Sequence, residues 1–229
     1  MIVLLASRFD QLAAELAQRW ADHDARLMTC ADLSQPGWRY YPDSPNNSCV
    51  SIDGQSVRLA NIQGVLVCLP AVTESELPHI VAEDRSYVAA EMHAFLVAWL
   101  SDAACPVINP PSPLCLMGPN WPPERWAWAA AQAGLRVNPK AFVDLASTDL
   151  SDADLTAVTV VGNSCFGRAH HELRTRALRL ARAARTTALT VHCSGGAEFV
   201  SASPEVDITD VMIQRALLSC LLRHTNNKE

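Results

Sequence analysis

GVLVCLPAV, residues 64–72, is an apolar run too short for a helix and broken at Pro70, so it predicts a buried strand. EDRSYVAAEMHAFLVAWL, residues 83–100, is long enough for a helix, expected over 78–100, with Glu83 and Asp84 near the positive end of its dipole. PVIN, residues 106–109, reads as a further short strand closed by Pro110, Pro111 and Pro113. A second helix is expected over 122–134, because proline is tolerated in a first turn and Gly134 suits a C-terminal cap. Upstream, IVLLA (2–6) predicts a strand and ARLMTCADL (25–33) another. The helix expected between them, over 9–20, repeats Leu12, Leu16 and Trp20 every fourth residue as a sheet-facing stripe. SVRL after DGQ predicts a hairpin turning at Asp53 and Gly54. Strands alternating with helices in this order require an open sheet covered by helices, so the expected fold class is α/β.

After Pro139 the texture changes. DLASTDLSDADL is an acidic, Ser/Thr/Asp-rich connector, which places domain boundaries at 1–139, 140–155 and 156–229. In the last part, TAVTVV and SCFG predict a hairpin around Gly162 and Asn163. The helix expected over 170–185 buries Leu173, Ala177 and Leu180 and turns its arginines to solvent. ALTVHCS and EFVSAS predict a second hairpin across Gly195 and Gly196. A closing helix over 209–223 is expected to bury Met212, Ile213, Ala216, Leu217 and Cys220.

With 49% hydrophobic and 18% charged residues among 229, the chain has the composition of a globular protein. Its net charge of -6 argues against a nucleic-acid partner. No apolar run reaches the length of a membrane span and no secretory signal is recognised, so a cytoplasmic location is expected. The eight cysteines form no C-x-x-C pair and read as free thiols, and the seven histidines lack zinc-ligand spacing. No metal site is expected.

The phrases at 64–72, 83–100, 106–119 and 124–137 resemble, in order and wording, the N-terminal domain of ATP-grasp carboxylate–amine ligases, particularly those that modify ribosomal peptides. EFVSASP, residues 198–204, is similar to that family's metal-binding signature F-x-E-x-N-P, with Ser201 and Ser203 at the positions of the metal-binding Glu and Asn. The resemblance implies a Rossmann-like first domain followed by a truncated α+β part, the connector standing where the nucleotide lid would be built. It also implies lysines for the nucleotide phosphates, yet the chain has only Lys140, in the connector, and Lys228, in the polar tail. A serine hydroxyl is a neutral substitute for a magnesium-binding carboxylate.

The resulting expectation is a non-catalytic relative, without nucleotide, metal or other cofactor, that binds a protein or peptide as an accessory subunit in peptide or natural-product modification. A complete ATP-grasp ligase is a candidate partner, and a homodimer is expected because exposed apolar surface favours self-association. The alternatives are a minimal ligase, whose lid a partner chain supplies or which uses a different activated donor, and a thiol-dependent enzyme or hydrolase using Cys165 or Cys193 with a histidine, for which the sequence offers only His192-Cys193. Ligands of open α/β sheets bind beyond the carboxyl ends of the strands, here around Leu69-Pro70-Ala71 and Asn109-Pro110. Arg85, Tyr87 and Glu91 resemble the family's residues on the following helix, and Trp121 and Arg125 stand beside Trp126 and Trp128. Partner binding is therefore expected at Arg85, Tyr87, Glu91, Asn109, Trp121 and Arg125.

Overall fold

The computed structural model describes residues 1–42, 44–138, 155–195 and 198–222. The connector over 140–155, Lys140, Lys228 and the turn residue Gly196 lie outside them, apart from residue 155 itself. Contacts divide the chain into two units, one of Met1–Gly118 with the residues from Leu218 onward, the other of Pro119–Leu217.

The first unit opens with β1 (Ile2–Leu5), α1 (Gln11–Arg19), β2 (Ala25–Met28) and the one-turn α2 (Cys30–Leu33). The hairpin β3 (Cys49–Ile52) and β4 (Gln55–Arg58) comes next, and β5 (Gly64–Val67), α3 (Arg85–Ser101) and β6 (Val107–Ile108) complete it. The central sheet is parallel throughout, in the order β2-β1-β5-β6. Its two central strands, β1 and β5, are buried on both faces, as apolar runs without alternation require.

Three local expectations change. The strand expected over 25–33 stops at Met28, because Thr29 and Asp32 form a capping box that starts α2. Asp32 is buried and also accepts the Asp53 amide, which ties α2 to the hairpin turn, where Asp53 and Gly54 both have positive φ. The helix expected from residue 78 begins at Arg85, after a 3-10 turn at Ala82–Asp84. On α1 the buried stripe is Ala13, Leu16 and Ala17, while Leu12 is exposed, because an exact four-residue spacing drifts around a helix of 3.6 residues per turn.

The second unit contains α4 (Pro123–Gln132), β7 (Arg136–Val137), β8 (Thr156–Val161), β9 (Ser164–Phe166), α5 (His171–Ala183), β10 (Ala188–Ser194), β11 (Glu198–Ser203) and most of α6 (Val211–Leu222). Its sheet runs β7-β11-β10-β8-β9, antiparallel except where β7 joins β11. Strand alternation sends Val158, Val160, Leu189 and Val191 to one face, against Trp126, Ala130, Ala177 and Leu180 of α4 and α5. Burying each such Val or Leu is worth about 1.5–3 kcal/mol. The contact division falls at Gly118, ahead of the boundary expected at 139. The two-residue β7 carries no periodicity to name its sheet, and its pairing with β11 brings it and α4 to the second unit. On α6 Ile213 and Leu217 are buried as expected, while Met212 is exposed.

Candidate functional site

Beyond the carboxyl ends of β5 and β6 lies an open groove of about 730 Å³. One wall is a single face of α3, formed by Ser86, Ala89, Ala90, His93, Ala94 and Val97. The other is formed by residues 71–74 and by Pro113 and Leu114. His93 Nε2 lies 3.1 Å from the Pro113 carbonyl oxygen, and the Leu116 amide donates to the Pro70 carbonyl, so the loop after β6 is tied both to α3 and to the loop after β5.

None of the six expected binding residues lines this groove. Arg85 is half-buried, and its guanidinium donates to the carbonyls of Ile80 and Pro78, which closes the turn ahead of α3. Asn109 is buried at the end of β6 with φ of 60°, a left-handed conformation that Asn tolerates better than most residues. Tyr87 is 69% exposed, and Glu91 lies one turn further along the same exposed side of α3. Trp121 and Arg125 belong to the second unit, where the guanidinium stands 4.2 Å from the Trp121 ring centre and Trp121 packs on the buried Trp126. Trp128 is exposed. The sequence missed the small-residue face of α3, which shows in the recurrence of Ser86, Ala90 and Ala94 every fourth residue.

A second opening, of about 460 Å³, lies on the sheet face of the second unit opposite α4 and α5. Cross-strand register sets Thr190 against Thr159 and Ser203, and His192 against Ala157 and Ser201. Thr159 and Thr190 hydroxyls are 3.1 Å apart, and Ser203 Oγ accepts the Glu205 amide. Glu205, Asp207 and Asp210 complete the rim; Asp207 accepts from Thr209, and Asp210 from the first amides of α6. Among the described residues no lysine or arginine lines this opening, and no group of three or more His, Cys, Asp and Glu side chains could hold a metal ion.

His192 and Cys193 point to opposite faces, as neighbours on a strand do. Cys193 is buried against the helices, and burial pushes its thiol up to about 11. The Cys165 thiol is also raised by burial, in spite of the opposing Arg174 charge, and donates to the Arg174 carbonyl. None of the eight cysteines, all of them among the described residues, forms a disulfide. No helix among the described residues is long and apolar enough to cross a membrane.

No protein-family model matches the chain, and no curated protein matches it. Solved structures do. The macrocyclase MdnC of Microcystis aeruginosa MRC, bound with precursor peptide MdnA, superposes with a TM-score of 0.66 at 11% identity, over 98% of this chain and 100% of its own. A RiPP-associated ATP-grasp ligase of Chryseobacterium gregarium, in complex with ADP and a leader and core peptide, has a TM-score of 0.61 at 8% identity, over 97% of this chain and 96% of its own. The ATP-grasp ligase PsnB, complexed with minimal precursor, Mg and ADP, has a TM-score of 0.61 at 12% identity, over 96% of this chain and 97% of its own. The chain therefore has an ATP-grasp ligase-like fold, a mixed α/β architecture with a parallel sheet and flanking helices.

Proposed function

We propose that this chain is a peptide-binding protein of ATP-grasp fold that performs no ligation of its own, acting in the cytoplasm as an accessory subunit in peptide modification. The observation that carries this reading is the open face of the second sheet. Its last strand presents the neutral Ser201 and Ser203 hydroxyls, and among the described residues no lysine or arginine joins Glu205, Asp207 and Asp210 around the opening. With no lysine or arginine to hold phosphate and no group of three or more His, Cys, Asp and Glu side chains able to hold a metal ion among the described residues, this face does not fit Mg-ATP. The peptide partner is supported by the precursor peptides bound to the structural neighbours. Tyr87 and Glu91 are its contacts in the first unit, where Arg85 and Asn109 shape the backbone before α3 and after β6, and Trp121 with Arg125 offers a separate contact surface in the second unit.

A symmetric pair of copies belongs to the same proposal, as does association with a complete ATP-grasp ligase. The runner-up, a ligase completed by a partner chain, is favoured by the near full-length superposition on working ligases. Calorimetric titration with Mg-ATP tests the reading. No isotherm in the low-micromolar range is expected, and a one-to-one isotherm would overturn it.

A further inference from the structure

The groove along α3 combines two properties that have no use inside the first unit. Its floor is smooth. Ala89, Ala90 and Ala94 leave space above the helix backbone, and Leu114, 75% exposed, overhangs it from the loop after β6. Its charge is one-sided. Glu74 lines it, Glu83 and Asp84 precede the lining Ser86, and Glu91 follows the lining Ala90. All four residues are exposed, and none has an ion pair among the described residues. The nearby cationic candidates are committed to backbone, His93 lying against the Pro113 carbonyl and Arg85 donating to Ile80 and Pro78.

We propose that this groove is the docking site for a cationic amphipathic peptide segment, whose bulky apolar side chains lie over Ala90 and Ala94 and whose Lys or Arg side chains meet Glu74 and Glu91. The assignment rests on the reading of the chain as a peptide-binding protein and deepens it by naming the place and the charge of the peptide. Complementarity selects the occupant. Opposite charges steer the encounter and set the register, whereas a second copy across a two-fold axis would bring this acidic surface against itself. Lined residues 86–97 span about 16 Å of helix at 1.5 Å per residue, room for about three turns of a partner helix packed along it.

The test uses the full chain and two labelled probes, a short helical peptide of leucine and lysine at amphipathic spacing and its counterpart with glutamate for lysine, followed by fluorescence anisotropy at physiological ionic strength. Only the lysine peptide should bind. Ala90 and Ala94 are exposed, so Ala90→Phe and Ala94→Phe fill the groove without disturbing the core, and each should weaken binding by about tenfold or more. Glu74→Lys with Glu91→Lys should do the same, whereas Glu15→Lys with Asp22→Lys, an equal charge change on other exposed positions, should leave binding within about twofold.

If the lysine peptide binds but the filled variants bind as well as the parent, peptide binding stands and this placement falls. Equal loss from both charge-reversed pairs shows non-specific attraction and also overturns it. So does a change of oligomeric mass in Ala90→Phe with peptide binding intact, which would make the occupant a second copy. If neither probe binds, the proposed docking site is likewise refuted.

Discussion

Ser7 at the end of β1 donates its hydroxyl to Glu76 Oε1 at 2.7 Å, joining the first strand to the loop after β5 across the point where the strand order reverses. Glu76 is 6% exposed, and its other oxygen, Oε2, has no hydrogen-bond partner among the described residues. Ser7→Ala would leave the whole carboxylate buried without this donor. We expect a loss of about 1–3 kcal/mol in urea unfolding. An unchanged midpoint would show that Glu76 is held by something other than Ser7.

Arg85 acts on the backbone ahead of α3, through the Ile80 and Pro78 carbonyls. Arg85→Ala should therefore lower stability by about 1–2 kcal/mol. Arg85→Lys should recover only part of it, because an ammonium cannot reproduce the planar fork of a guanidinium. If thermal melting of Arg85→Ala matches the parent while peptide binding is lost, Arg85 is a contact residue and not a positioning one.

Gly167 follows β9 with φ of 104°, and a Cβ there would lie 2.3 Å from the Ala157 carbonyl oxygen. Gly167→Ala must shift β8 or break the turn beside the polar face. A cost of about 2 kcal/mol or more is expected by chemical denaturation. A variant as stable as the parent would mean that the turn adopts another conformation.

Burial together with Glu76 and Asp32 pushes the Cys30 thiol from 9.0 up to about 12, and burial pushes Cys105 and Cys193 up to about 11. The unfolded chain releases these protons first, near 9.0, so above that pH it binds fewer protons than the native state and stability falls with rising pH. The loss should begin near pH 9.0 and continue towards pH 12 for Cys30. Urea midpoints taken between about pH 8 and about pH 11 should decline, and less steeply in Cys30→Ala. A flat profile over that window would contradict these thiols being held neutral.

Trp128 is 67% exposed on α4, an unusual place for the largest apolar side chain. Light scattering at tens of micromolar should report the proposed dimer, and Trp128→Ala should shift it towards monomer. A parent protein that is monomeric under those conditions would remove self-association from the proposal.

Much of the fold was legible because it is written in short-range pattern. Apolar runs marked β1, β5 and β8; Gly134 and Asp53-Gly54 marked a helix end and a hairpin, since both need positive φ that few residue types accept. Of the residues expected around a crevice beyond β5 and β6, only Ala71 lines the groove, because the loops after both strands run on before they form its wall. Individual side chains were not legible. Arg85 and Tyr87 stand two positions apart on one helix, yet one is turned to backbone carbonyls and the other to solvent. Leu12 and Met212 are as apolar as their buried neighbours, but they lie on the outer side of their helices.

The sequence by itself determined the order and type of most elements and the ATP-grasp resemblance, because each depends on residues close together along the chain. Only the tertiary structure decided that α4 and β7 join the second sheet, that Ser203 shares its face with Asp207 and Asp210, and that Glu74 and one face of α3 line a common groove. These are contacts between distant segments, set by which apolar surfaces find each other as the chain compacts, and no local pattern of residues encodes them.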